Sequence, residues 1–345
     1  MIGGAAFACA SFESEETPVV DAGFDVPPVE EAAAPPDAKP ACPEVVGDFT
    51  NPRRLRAGAA GAVWIHDARG IDGGPVTAIS TVDEREKSTR PQFVLAPSAQ
   101  DVCLTGTSAV VLARTIDPGF PTGLALKSCP LGSAACDDKA LPINVAGAFP
   151  PELACDGELL AFIAPPELRG VSLTQPAVLL TGPRGAGDAR LVSLAATTAT
   201  YFRPDAGIFA GPLGADAGGA PIVTDDAGAR NVTALVSRPD YVFYVVQEGG
   251  TPVLSRVAAA GGPATVLARQ VTSLVAIDAN AVFFVSATGG IFRLKRDATS
   301  EGDAESRRVF DVPTSDVTSL GVSDAFVYFS TRTQLKRLPK AGCPN

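Results

Sequence analysis

Ser237–Val246 reads SRPDYVFYVV, Ala276–Ser286 reads AIDANAVFFVS and Val322–Thr331 reads VSDAFVYFST. The three are copies of one pattern: a polar cluster holding an Asp, then an apolar run rich in aromatic and β-branched residues. The Asp can be followed through Asp156, Asp205, Asp240, Asp278 and Asp324, at gaps of 49, 35, 38 and 46 residues. Weaker copies upstream are GAAGAVWIHD around Ala60 and LTGTSAVVLAR around Thr107. That makes seven units. A repeat of this period fixes the architecture before any local reading does.

Each unit has an internal order. VTALV, YVFYVV, PVLSRV and TVLA follow one another from Val232 to Ala268, separated by Pro, Gly and Asp. SLVAI, VFFVS, IFRLK and RVFDV repeat the series from Ser273 to Val312. These are short β-rich runs between turn residues, with no helical period. Four strands in about 40–50 residues is the spacing of a β-propeller blade. The second run of each unit is apolar at consecutive positions. A sheet with one wet face would alternate, so these strands are expected to be buried on both faces, as in blades stacked around a ring. The fold class read here is all-β: a propeller of seven four-stranded blades, with six or eight as the alternatives.

The last unit offers three runs and stops short of a fourth. The segment PRRLRA (Pro52–Ala57) resembles the fourth-run sequence TVLAR and is expected to complete that blade, which would pair an open sheet edge. Cys42 precedes this segment and Cys343 follows the last unit. A bridge between them would close a loop of 301 residues (343 minus 42) at the seam. Of the seven cysteines, six remain once Cys9 is set aside, and six allow 15 pairings. Position favours Cys42 with Cys343, Cys129 with Cys136 across CPLGSAAC, and Cys103 with Cys155 in adjacent units. An even set of this kind belongs to an oxidising compartment. Zinc is disfavoured, because CxxC spacing is absent and His66 is the only histidine.

Residues 10–44 hold nine acids, one base and seven prolines. Such a segment cannot bury enough apolar surface to fold and is expected to be a disordered tether. It carries −8 of the net charge of −10, so the remainder is nearly neutral. The expected organisation is therefore residues 1–9 as a leader remnant, 10–44 as tether and 45–345 as propeller. No run of about 18 apolar residues offers a membrane span. The short cluster Arg53–Arg56 reads as a solvated strand end, and no nucleic-acid partner is expected.

Chemistry is sparse. His66, in VWIHDARG, reads as a loop histidine at a blade edge, and no catalytic residue is assigned. The recurring Asp reads as a turn residue whose carboxylate bonds nearby backbone N–H groups. Asp67–Gly74 and Thr224–Asn231 are rich in Asp and Gly but lack the calcium-loop pattern, so no cofactor is expected.

Leu274, Ile277, Asp278, Val282, Phe283 and Phe284, followed by Ile291, Arg293 and Leu294, resemble YWTD-type and related bacterial propeller repeats. The later units lack the Trp of that type, and YWTD propellers have six blades. The opening MIGGAAFACAS resembles the end of a bacterial lipoprotein signal, with Cys9 as the lipidated residue. Together these resemblances imply an extracytoplasmic propeller of the bacterial cell envelope, lipid-anchored or secreted. It would be a monomer that binds or scaffolds a protein or glycan through its blade loops. The alternative they leave open is a propeller hydrolase or lactonase with calcium in its channel.

Overall fold

The computed structural model describes residues 42–343, apart from 70–72, 87–91, 96–97, 107, 118–119, 132–135, 145–151, 165–166, 216, 225–230 and 302–305. Cys9 and most of the acidic segment lie outside the described residues.

The chain forms seven four-stranded antiparallel sheets. A short strand, β1 (Glu44–Asp48), comes first. Blade 1 is β2 (Thr50–Gly58), β3 (Gly61–Arg69), β4 (Pro75–Asp83) and β5 (Gln92–Leu95). Blade 2 is β6 (Ala99–Thr105), β7 (Ser108–Asp117), β8 (Phe120–Pro130) and β9 (Asp137–Asn144). Blade 3 is β10 (Glu152–Asp156), β11 (Leu159–Ala164), β12 (Glu167–Ser172) and β13 (Gln175–Thr181). Blade 4 is β14 (Leu191–Ala195), β15 (Thr198–Arg203), β16 (Gly207–Pro212) and β17 (Ala220–Thr224). Blade 5 is β18 (Val232–Ser237), β19 (Tyr241–Glu248), β20 (Thr251–Ala258) and β21 (Thr265–Arg269). Blade 6 is β22 (Val271–Ile277), β23 (Ala281–Ser286), β24 (Ile291–Lys295) and β25 (Arg307–Phe310). Blade 7 takes β26 (Ser319–Val322), β27 (Phe326–Ser330) and β28 (Gln334–Pro339), and β1 supplies its fourth strand.

The cores lie between blades, not within them. Strand β23 is buried at every position, and its side chains alternate between two neighbours. Val282 and Phe284 pack with Phe243 and Val245 of blade 5, while Phe283 and Val285 pack with Val327 and Phe329 of blade 7. Seven such clusters follow one another. The last joins Tyr328 and Leu335 of blade 7 to Trp64 and Val82 of blade 1, with Val46 of β1 among them. Each second strand thus works on both faces, which is why its apolar run has no polar alternation.

The closing strand is not the one expected. Pro52–Ala57 lies inside β2, the inner strand of blade 1, where Arg53 pairs with Ile65 and Arg56 with Val63. Strand β1 closes the ring instead, with Glu44 opposite Arg337 and Asp48 opposite Gln334. The reason is the free inner edge of β3. Blade 1 needs its own first strand, and PRRLRA is the nearest β-prone segment to provide it. Glu44–Arg337 (2.8 Å) and Gln334 Nε2 to Asp48 Oδ1 (2.9 Å) flank the seam, and the Cys42–Cys343 bridge covers its end. Cys42–Glu44, assigned above to the tether, therefore belong to the ring. The ring has seven blades, not the six of the YWTD type.

Candidate functional site

The inner strands β2, β6, β10, β14, β18, β22 and β26 surround a central channel with a cavity of about 580 Å³. Every blade is traversed in the same order, so these strands run in one sense along the channel. The end where they finish carries the repeat's own chemistry, and the end where they start carries its exceptions.

At the finishing end, the recurring Asp sits in the turn from first to second strand. Asp278 Oδ1 accepts from the N–H groups of Asn280 and Ala281, both at 2.7 Å, the expected turn role. The same residue also reaches the next blade. Asp278 pairs with Lys340 of blade 7 (2.7 Å), Asp240 with Arg296 of blade 6 (3.2 Å), and Asp156 Oδ2 accepts from Ala196 N–H of blade 4 (2.6 Å). A turn residue that also latches the following blade is part of the fold, and its recurrence follows from that. Asp205 does not belong to the series. It lies between β15 and β16, and the first turn of blade 4 holds Ala196 at φ 51° instead. Arg238 is the channel cation at this end. It donates to the Ile277 carbonyl, and burial lowers its pKa against the pull of Asp156, Asp278 and Asp240.

At the starting end, blades 1 to 3 depart from the repeat. Asp101 of β6 is fully buried. Its Oδ1 accepts from Val102 N–H and its Oδ2 from Leu153 N–H of β10, both at 2.9 Å. Glu152 of β10 in turn accepts from Val192 N–H of β14. Inner-strand edges face the channel with unpaired amides, so each carboxylate satisfies a donor of the next blade. Arg56 stands 3.8 Å from Asp101. Arg54 projects from a bulge at φ 53°, a backbone region unusual for a side chain of this size. Arg53 is engaged with Asp67 at 2.6 Å. The arginine cluster read as a solvated strand end therefore lines the channel wall.

Burial pushes the Glu152 carboxyl up from 4.5 to about 7, and the negative charge of Asp101 adds to the shift, against Arg54, Arg56 and the Val192 N–H. In the unfolded chain the group ionises near its ordinary value. Its stabilising contribution is thus complete below pH 4.5 and is lost as pH rises through about 7. At 1.36 kcal/mol per unit the upper bound is about 3 kcal/mol. The carboxyl is partly exposed, so about 1–2 kcal/mol is expected. Glu152→Gln should remove this loss. Urea unfolding at pH 5 and pH 8 should show the wild type falling relative to the variant; an equal difference at both pH values would contradict the assignment.

His66 is not in a loop. It lies in β3, buried, with Nε2 2.9 Å from Ser80 Oγ and Nδ1 facing the Asp67 carbonyl at 3.2 Å. A His–Ser pair at this distance has the form of a nucleophile and its base. Here both residues are sealed inside blade 1 and neither lines the channel. Burial lowers the His66 pKa, against the neighbouring Asp67.

Cysteine bridges join Cys42 to Cys343, Cys103 to Cys155 and Cys129 to Cys136. Cys103 and Cys155 lie in β6 and β10, so their bridge ties two inner strands at the channel wall. Among the described residues, no group of three or more His, Cys, Asp or Glu side chains is placed to hold a metal.

Neither a protein-family model nor a curated protein sequence matches the chain. Solved structures do match. The β-propeller domain of the Trilobed protease from Pyrococcus furiosus aligns with a TM-score of 0.59 at 11% identity, over 86% of this chain and 100% of that one. The chain is a β-propeller. PorZ, an essential bacterial surface component of the type-IX secretion system of Porphyromonas gingivalis, aligns at a TM-score of 0.57 and 10% identity over 87% of this chain and 39% of the PorZ chain. BamB from Moraxella catarrhalis aligns at 0.50 and 14% identity, over 88% of this chain and 100% of that one. At such identities the likeness carries the fold and nothing finer.

Proposed function

We propose that the chain is a non-enzymatic binding or scaffolding propeller of the bacterial cell envelope, held at a membrane by a lipid on Cys9. The observation that carries the binding reading is the division of its side chains. The one His–Ser pair is shut away from the channel, whereas charged residues that break the repeat are gathered at one channel mouth. Three disulfide bridges support an oxidising compartment. Bacterial surface placement of a neighbour such as PorZ agrees with it. The partner is a protein or glycan engaged through loops between strands, because loops vary freely on a rigid ring.

Cys9→Ser tests the anchor. In a bacterial host, wild-type protein is expected in the detergent phase and the variant in the aqueous phase, with an acyl mass on the wild-type N-terminal peptide. Equal partition of both would remove the anchor from the reading. Binding is tested by crosslinking full-length protein in its own envelope and identifying the attached species.

A further inference from the structure

We propose that the channel mouth at blades 1 to 3 binds a small organic monocarboxylate, gripped by Arg54 and Arg56. The inference rests on the binding reading above and names the ligand class for this mouth.

The first observation is a departure from the repeat. Strands β6, β18 and β22 each begin with one register shift, preceded by Ser98, Asn231 or Gln270 in the left-handed region. The inner strands of blades 3, 4 and 7 have none. Strand β2 has two shifts, and the second carries Arg54 at φ 53°. A bulge re-aims a side chain, and strain held at a single position of a repeat points to use. Arg54 has no hydrogen bond or ion pair within 4 Å among the described residues, although it lines the cavity. Arg56 stands 3.8 Å from Asp101, donates a long hydrogen bond to the Leu55 carbonyl (3.4 Å), and is accessible over 44% of its side chain.

Charge then selects the ligand. The charged groups on this wall are Arg54 and Arg56 from β2, Asp101 from β6 and Glu152 from β10; β14 contributes only the Val192 N–H. Arg53 is neutralised by Asp67, and Arg238 lies at the opposite end with its own acids. With Glu152 protonated the mouth carries one net positive charge, and with it ionised, none. A monoanion fits the first state, whereas a sulfate dianion would face Asp101 with surplus charge. Guanidinium forks match the planar carboxylate, and protonated Glu152 adds an O–H donor on the same wall. Val192 and Leu274 offer partly exposed apolar surface for the ligand's body. The cavity of about 580 Å³ lies within the range of small-ligand sites.

Calorimetric titration of the full chain with hexanoate tests this, with hexanamide and inorganic sulfate as comparison probes. Saturable hexanoate binding is expected at pH 6, about tenfold weaker at pH 8, as the protonated fraction of Glu152 falls. Hexanamide and sulfate should bind at least about tenfold more weakly. Arg54→Gly suits the left-handed backbone, so its thermal midpoint should be unchanged or higher while hexanoate affinity falls about tenfold or more. Glu152→Gln should keep binding and lose the pH dependence. No saturable hexanoate binding at either pH, equal binding of hexanamide, or full affinity in Arg54→Gly would each overturn the proposal. An envelope partner crosslinked equally by wild type and Arg54→Gly would leave the broader binding reading standing without it.

Discussion

Serine at both Cys42 and Cys343 is expected to lower the thermal midpoint by roughly 10 °C. The bridge spans 301 residues and is the last link of the ring. The chain-entropy relation for a loop of that length gives about 5–6 kcal/mol. Unfolding entropy of about 2 cal/mol/K per residue converts this to a shift of that size for a ring of about 300 residues. Cys129–Cys136, at a separation of 7, supplies an internal comparison. The same relation assigns it about 2 kcal/mol, so removing it should cost much less. The seam variant should also lose solubility. When β1 detaches, β28 presents an open edge, and only contacts such as Glu44–Arg337 and the burial of Val46 hold it in place. Calorimetric scans of both double variants decide the matter. Equal shifts would mean that the seam bridge does not govern ring opening.

The parts legible in the sequence are those that recur. Phe283 and Phe284, and their counterparts in units five and seven, are consecutive apolar residues because each strand packs against two blades. That requirement is local, and the pattern shows it. Strand pairing is not local. PRRLRA is β-prone and so is EVVGD, and nothing in either run says which neighbour it will join; the free inner edge of β3 decides. Asp205 entered the series because blade 4 has Ala196 in its first turn, and the nearest Asp lay one turn later. His66 looked like a loop residue because Asp67 and Gly70 follow it, yet β3 runs to Arg69 and buries the ring. Of the channel mouth the sequence shows only the cluster Arg53–Arg56, which reads as a solvated strand end. Arg54, Asp101 and Glu152 are 47 and 51 residues apart, one per blade, and only the ring brings them together. A repeat hides such a site, since any single unit shows only its own share of the charges.

Asp101→Ala is expected to destabilise the protein by about 3 kcal/mol, and Asp101→Asn by about half as much. The carboxylate is fully buried and bonds two amides with different oxygens, Val102 N–H to Oδ1 and Leu153 N–H to Oδ2. Alanine leaves both donors without an acceptor, at about 1–3 kcal/mol each. Loss of a buried charge and of its repulsion with Glu152 offsets part of that. Asparagine keeps one acceptor and turns its NH2 toward the other amide, so one bond survives. Leu153 belongs to the next blade, and the lost bond loosens the contact between blades 2 and 3. The charge also has a distant signature. Asp101 helps hold the Glu152 carboxyl high, so Asp101→Asn should bring that group down toward its ordinary value. The stability loss between pH 4.5 and about 7 should shrink with it. Asp101→Asn and Glu152→Gln should then combine non-additively, because both act on one electrostatic pair. Urea unfolding of the two single variants and the double at pH 5 and pH 8 measures this. Costs below about 1 kcal/mol with an unchanged pH slope would mean that inner-strand carboxylates do not join these blades.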